Sequence, residues 1–240
     1  MTVEAVITTI GEPQTDECHK ALQSQIVPFE KITVLKNVSP NSEAHNQGLE
    51  QATCNWCLFV DADMILNQGL LSLFKENMGA GNRVYSYVYQ LWDSFLKVKI
   101  KGIRLYNPKI AKKFPYKNII GTDRIARNEA RERGFLEIDY KKIVIGTHFL
   151  NPSDEQVYKR FLMRGIKEKH HLSGKEYVPV TLANTLKKLF EETKNKQYLL
   201  AITAFQDGMK IKRKKDYDIN FGIKEYREAK KKWIKITKIY

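Results

Sequence analysis

Three short apolar runs, each followed by a helical pattern, constrain this chain more than anything else in it. VEAVITTI (3–10) reads as a buried strand, KITVL (31–35) as a second and NWCLFV (55–60) as a third, ending at an acidic pair. A helix is expected from about Thr15, a plausible N-cap, with Cys18, Ala21, Leu22 and Ile26 on one face. NSEAHNQGLEQA (41–52) reads as a second helix, weakened by Gly48, and NQGLLSLFKENM (67–78) as a third. The β-α-β-α-β-α order predicts an α/β fold with a Rossmann-like, mostly parallel central sheet flanked by helices.

The rhythm then changes. RVYSYVYQ (83–90) and FLKVKIKGIRLYN (95–107) alternate apolar and polar residues, which predicts antiparallel, half-exposed strands. DRIARNEARER (123–133) predicts a helix stopped by Gly134, and KKIVIGT (141–147) a strand running into His148. From about Ser153 to Met209 the pattern is helical, and GMKIKRKKD (208–216) reads as a basic connection to a last helix. Two regions follow: 1–150, an α/β domain, and 151–240, a helical basic extension.

Totals exclude several classes. No run of about 18 apolar residues predicts a membrane span, and the first residues do not read as a signal peptide. Three cysteines, Cys18, Cys54 and Cys57, make no disulfide framework, which suits a reducing, cytoplasmic setting. Cys54 and Cys57 form a lone C-x-x-C without a second pair, so core cysteines are the simpler reading than zinc. The formal charge of +14 is uneven: residues 1–150 carry 19 Lys+Arg against 16 Asp+Glu, and residues 151–240 carry 22 against 11. That excess favours an anionic partner. In 223–240, Tyr226, Ala229, Trp233, Ile236 and Tyr240 form one apolar helical stripe ringed by lysines. It would suit an anionic membrane surface contacted through 208–240, or packing on the catalytic domain. Nucleic acid is disfavoured, because no RNA-recognition motif, zinc finger or aromatic-interleaved groove appears. His170 and His171 read as surface residues of a basic helix tail.

Chemistry gathers at CLFVDADMIL (57–66). A carboxylate inside an apolar run is costly unless something pairs with it. In open α/β sheets ligands bind beyond the carboxyl ends of strands, where Asp61 and Asp63 stand. Residues two apart on extended backbone point to one side. The pair would therefore suit a hard divalent cation, Mn²⁺ or Mg²⁺, whose shell is completed by water and substrate phosphates. A strand-to-helix turn with a capping Asp is the plainer alternative.

Four blocks in order carry a resemblance. Ile7-Thr8-Thr9-Ile10-Gly11-Glu12 echoes an apolar strand entering P-T-Y-N-E at Thr9 and Glu12. Ala44, Asn46 and Gly48 lead into Phe59-Val60-Asp61-Ala62-Asp63. Gly121-Thr122-Asp123 opens a helix carrying Arg131, and Gly134-Phe135 precedes the strand ending in His148. Over residues 3–150 the chain resembles an inverting family 2 glycosyltransferase of the GT-A fold.

The resemblance implies that Asp63 and His148 bind the metal and that Asp61 holds the ribose or a metal-bound water. Asp123 would be the catalytic base, with Thr122 where the family has Glu. Thr9, Glu12, Lys36, Asn46 and Asp61 would line the donor. Lys36 departs from the family, which has Asp near the nucleobase; an ammonium only donates hydrogen bonds, so a uracil would be contacted differently. The implied function is transfer of a hexosyl or N-acetylhexosaminyl group from a nucleotide sugar, UDP-sugar preferred, to a glycan or lipid-linked acceptor in cell-surface polysaccharide synthesis. The enzyme would be cytoplasmic or peripheral at the inner face of the membrane. Two alternatives stand beside it: a sugar nucleotidyltransferase, whose glycine-rich first loop is missing here, and a non-catalytic basic membrane-binding module.

Overall fold

β1 (Val3–Thr9), β2 (Lys31–Lys36) and β3 (Trp56–Asp61) pair in parallel, with β1 between the other two. Ala5, Ile7, Leu58 and Val60 are fully excluded from water, and each large side chain so buried contributes about 1.5–3 kcal/mol. In this computed structural model the described residues are 2–77, 82–119, 121–169 and 179–211. The chain forms two compact units, one of Met1–Asn118 and Thr122–Leu150, the other of Ile119–Gly121 and Asn151–Tyr240.

The first unit is built on a seven-stranded sheet of order β2-β1-β3-β6-β5-β7-β4. The remaining strands are β4 (Met64–Leu66), β5 (Val84–Asp93), β6 (Val98–Tyr106) and β7 (Leu136–His148). β1, β2, β3, β5 and β7 run one way; β4 and β6 run the other. The expected mostly parallel sheet is therefore present. Its helices are α1 (Thr15–Gln23), α2 (Asn41–Glu50), α3 (Leu70–Asn77), the short α4 (Pro108–Ala111) and α5 (Thr122–Glu132).

Four local expectations change. Thr15 is the first residue of α1, not its cap, and its hydroxyl donates to the Glu12 carbonyl at 2.7 Å. β5 and β6 are antiparallel as expected, but every β5 residue except Trp92 is buried. The cause is non-local: β7 adds in parallel to the other edge of β5 and makes it a central strand. β7 begins at Leu136 rather than at residue 141. β4 was not expected; three residues carry too little pattern to announce a strand.

Gly48, a weak point in a helix by propensity, has a packing reason. A Cβ there would lie 2.7 Å from the Phe59 ring, so glycine lets α2 settle on β3. Cys18 and Cys57 are buried free thiols and Cys54 is half-buried, as core cysteines would be.

The second unit contains α6 (Asp154–Lys169), α7 (Pro179–Thr193) and α8 (Gln197–Lys210). α6 and α8 cross at Gly165 and Gly208, whose Cα atoms approach so closely that a Cβ on either would overlap the opposite backbone. The expected membrane-facing helix 223–240, most of the basic segment 208–216, and His170-His171 lie outside the described residues. No helix among the described residues is long and apolar enough to cross a membrane.

Candidate active site

The carboxyl ends of β1 and β3 lie side by side, because Thr8 is in register with Asp61. At the end of β1 the chain turns into α1 through a hydrogen-bonded loop. The Glu12 Oε2 accepts from the Thr9 hydroxyl at 2.6 Å and from the Ile10 N–H at 2.9 Å. Gly11 takes φ +99°, a conformation few other residues adopt, and its N–H donates to Thr9 Oγ1. Thr9 and Glu12, both expected at the donor, thus first hold each other. Lys36, in register with Thr9 at the end of β2, is exposed.

Asp61 closes β3, and Ala62–Asp63 form a turn before β4. The two carboxylates therefore do not share one extended segment, as the residue spacing had implied. They converge by a turn instead. The Thr8 hydroxyl donates to Asp61 Oδ1 at 3.0 Å. Asp61 is exposed, with protein packed around its carboxyl on the inner side. That crowding, then the Asp63 charge, pushes its carboxyl up to about 6, against the Thr8 hydrogen bond and His148. Cys18 lies beneath; burial first, then Asp61, Asp63 and Glu12, pushes its thiol up to about 12, so it is no nucleophile.

His148 reaches the two carboxylates because β4 runs antiparallel to β7, with Met64 opposite His148. Its Nε2 lies 3.4 Å from Asp63 Oδ2, and its Nδ1 3.2 Å from Asp93 Oδ2. Asp93 is fully buried at the end of β5. Gly146, two residues before His148, makes the close strand pairing possible: a Cβ there would stand 2.5 Å from the Ile65 carbonyl oxygen.

Another group gathers around α5. Asp123 sits in the first helical turn, not at the cap, so its carboxylate is not tied to the helix end. Its side chain is 45% exposed, and its Oδ2 lies 3.5 Å from Arg127 Nη2. Arg127 also meets Glu137, which in turn meets Arg104, at 3.2 and 3.3 Å. Asn46 gives both ends of its amide to one residue: Nδ2 donates to the Tyr116 carbonyl at 2.9 Å and Oδ1 accepts from its N–H at 2.8 Å. The expected donor contact is here a tether between α2 and the loop after α4. His45 is stacked between Tyr116 and Phe59, at 3.7 and 4.3 Å between ring centroids. Neither of its ring nitrogens has a hydrogen-bond partner among the described residues.

No protein-family model matches the chain, and no curated protein matches its sequence. Solved structures do match. The mannosyltransferase PcManGT of Pyrobaculum calidifontis, in complex with GDP-Man and Mn²⁺, superimposes with a TM-score of 0.53 at 11% identity, over 86% of this chain and 73% of that one. The chain has the GT-A fold. Two further likenesses have TM-scores below one half. TarS 1-349 of S. aureus gives 0.44 at 13% identity, over 88% and 81% of the two chains. Glucosyl-3-phosphoglycerate synthase of Mycobacterium tuberculosis, in complex with Mn²⁺, UDP and phosphoglyceric acid, gives 0.48 at 10%, over 68% and 76%.

Within this GT-A sheet, Asp61, Asp63 and His148 come together at the strand ends, and Thr9 and Glu12 close the neighbouring loop. Asp123 joins the separate Arg127–Glu137–Arg104 network. Sequence reasoning missed Asp93, His45 and Arg104. Asp93 follows a strand read as alternating and half-exposed, so nothing local marked it as buried.

Asp63 and His148 fit a divalent cation as two neighbouring ligands. With metal–donor bonds of about 2.1 Å, adjacent positions of an octahedral shell lie about 3 Å apart, close to the 3.4 Å between Oδ2 and Nε2. Among the described residues no set of three or more His, Cys, Asp or Glu side chains encloses one point. The remaining positions would fall to water and diphosphate oxygens.

Proposed function

We propose that this protein is an inverting glycosyltransferase that moves a sugar from a nucleotide-sugar donor to the hydroxyl of a glycan or lipid-linked acceptor. The observation that carries the reading is the Asp63–His148 pair at the strand ends of a GT-A sheet, beside Asp61. Mn²⁺ or Mg²⁺ held there would offset negative charge on the departing diphosphate.

The chain's own residues supply the rest. Asp61, fixed by Thr8, faces the donor ribose or a metal-bound water. The Thr9–Glu12 loop and Lys36 border the nucleotide side. Asp123 takes the proton of the acceptor hydroxyl as that oxygen bonds to the anomeric carbon and the bond from that carbon to the diphosphate breaks. One displacement inverts the anomeric centre, and no protein nucleophile is required. UDP-sugars are the first donors to test, with GDP-mannose beside them because PcManGT is seen with it.

The net positive charge of residues 151–240 supports an acceptor at an anionic cytoplasmic membrane face. Co-sedimentation with anionic but not neutral vesicles is the outcome expected of that part.

The deciding experiment is a thermal-shift panel of nucleotides and nucleotide sugars with and without Mn²⁺, since a ligand bound only by the folded state raises its melting temperature. A donor that stabilises only with the cation, followed by transfer with inverted configuration, is expected. No response to any nucleotide sugar overturns the proposal. Pyrophosphate release from a nucleoside triphosphate would instead make the protein a nucleotidyltransferase, a reading disfavoured by the single glycine in the β1–α1 loop.

A further inference from the structure

We propose that Asp93 is a positioning residue that sets the tautomer of His148 and so presents Nε2, rather than Nδ1, to the cation beside Asp63. The proposal rests on the metal reading above, and it adds a residue outside the DxD motif.

The geometry is specific. Asp93 and His148 end the adjacent parallel strands β5 and β7 and are in register. Asp93 is wholly buried. Its Oδ1 accepts from the N–H groups of Phe95 and Leu96 at 3.1 and 2.7 Å, which locks the carboxylate's orientation. Its Oδ2 faces His148 Nδ1 at 3.2 Å. The His148 backbone is held by the same turn, since the Ser94 N–H donates to its carbonyl at 3.0 Å. Neither partner can swing away without breaking these bonds.

The chemistry follows from donor and acceptor capacity. A carboxylate only accepts, so a ring nitrogen hydrogen-bonded to one carries the proton; that is Nδ1, bonded to Asp93 at 3.2 Å, whereas Asp63 stands 3.4 Å from Nε2, outside the usual hydrogen-bond range. In a neutral imidazole the other nitrogen then holds the lone pair. That nitrogen is Nε2, on the Asp63 side. Histidines that bind metals are commonly oriented by such a carboxylate, whose loss lowers metal affinity.

Asp93→Asn separates orientation from packing. The amide oxygen keeps the Phe95 and Leu96 hydrogen bonds. The amide nitrogen, now facing His148 Nδ1, donates into it and drives the proton to Nε2. The test has two readouts. Long-range proton–nitrogen correlation spectra report, without any metal, which His148 ring nitrogen carries the proton. Calorimetric titration with Mn²⁺ in the presence of a nucleoside diphosphate reports affinity.

The wild type is expected to show protonated Nδ1. The variant is expected to show protonated Nε2 and to bind Mn²⁺ about 10- to 100-fold more weakly. A wild type with protonated Nε2 overturns the proposal even if the variant fails to fold, and so does a folded variant with unchanged tautomer or unchanged affinity. A wild type with protonated Nδ1 that takes up no Mn²⁺ overturns the metal reading of the site instead.

Discussion

Met64 of β4 pairs with His148 of β7, and this one rung of the sheet carries an imidazole to the acid that follows the third strand. The arrangement separates the duties of the site. Strand pairing sets where His148 stands; the turn after β5 sets how it faces.

Asp63→Ala and His148→Ala should each abolish cation-dependent transfer. Losing a ligand removes several kcal/mol of transition-state stabilisation, so kcat/KM should fall about 100-fold or more. Circular dichroism should show the fold retained, and Mn²⁺ titration should show lost uptake. Full activity in both variants would remove the metal from the mechanism.

Asp123→Asn should act differently. It keeps size and polarity but cannot take a proton. We expect kcat to drop about 10²- to 10⁴-fold, while Mn²⁺ and donor affinities stay within a few-fold. Steady-state kinetics beside calorimetric donor binding separate the two. A variant that loses donor binding instead would move Asp123 from the acceptor side to the donor side.

Gly146→Ala forces a Cβ against the Ile65 carbonyl. The strain should cost about 1–3 kcal/mol in urea unfolding, and because β4 must shift, Mn²⁺ affinity should fall with it. Lost stability with unchanged Mn²⁺ affinity would show that β4–β7 pairing does not set the His148 position.

His45 should make the fold acid-sensitive. Burial first, then the Arg104 charge, lowers its pKa to about 3, with Asp123 opposing. An unfolded chain protonates this histidine near pH 6.5. Below that value the unfolded state holds a proton that the folded state does not, so stability falls as pH falls. The slope should reach about 1.4 kcal/mol per pH unit down to about pH 3, and the contribution is complete above pH 6.5. His45→Phe should flatten that part of the curve in urea titrations between pH 7 and 4. Parallel curves for the two proteins would place the acid sensitivity elsewhere.

Much of this architecture was legible in the residues, and the gaps have physical causes. β1 and β3 are mostly apolar runs because they are covered on both faces, so they announce themselves, while β2, the edge strand, has only Leu35 buried. β5 was seen as a strand but not as a central one, because its burial depends on β7, far along the chain. β4 is three residues long and has no period to detect. At the site, Asp61, Asp63 and His148 lie within local patterns. Asp93 was overlooked because its strand alternates apolar and polar residues, and its burial depends on β7. Asn46 stood in a recognisable motif, yet its partner Tyr116 is 70 positions away, a relation that spacing does not encode.

The register of β7 against β5 skips residues 141–143: Tyr89 faces Tyr140, but Gln90 already faces Val144. Those residues form slack in β7, and a smaller shift follows between Gln90 and Trp92. Length changes there are absorbed locally, upstream of the rung where Asp93 meets His148. One residue inserted among 141–143 should therefore leave the imidazole at its station opposite Asp93.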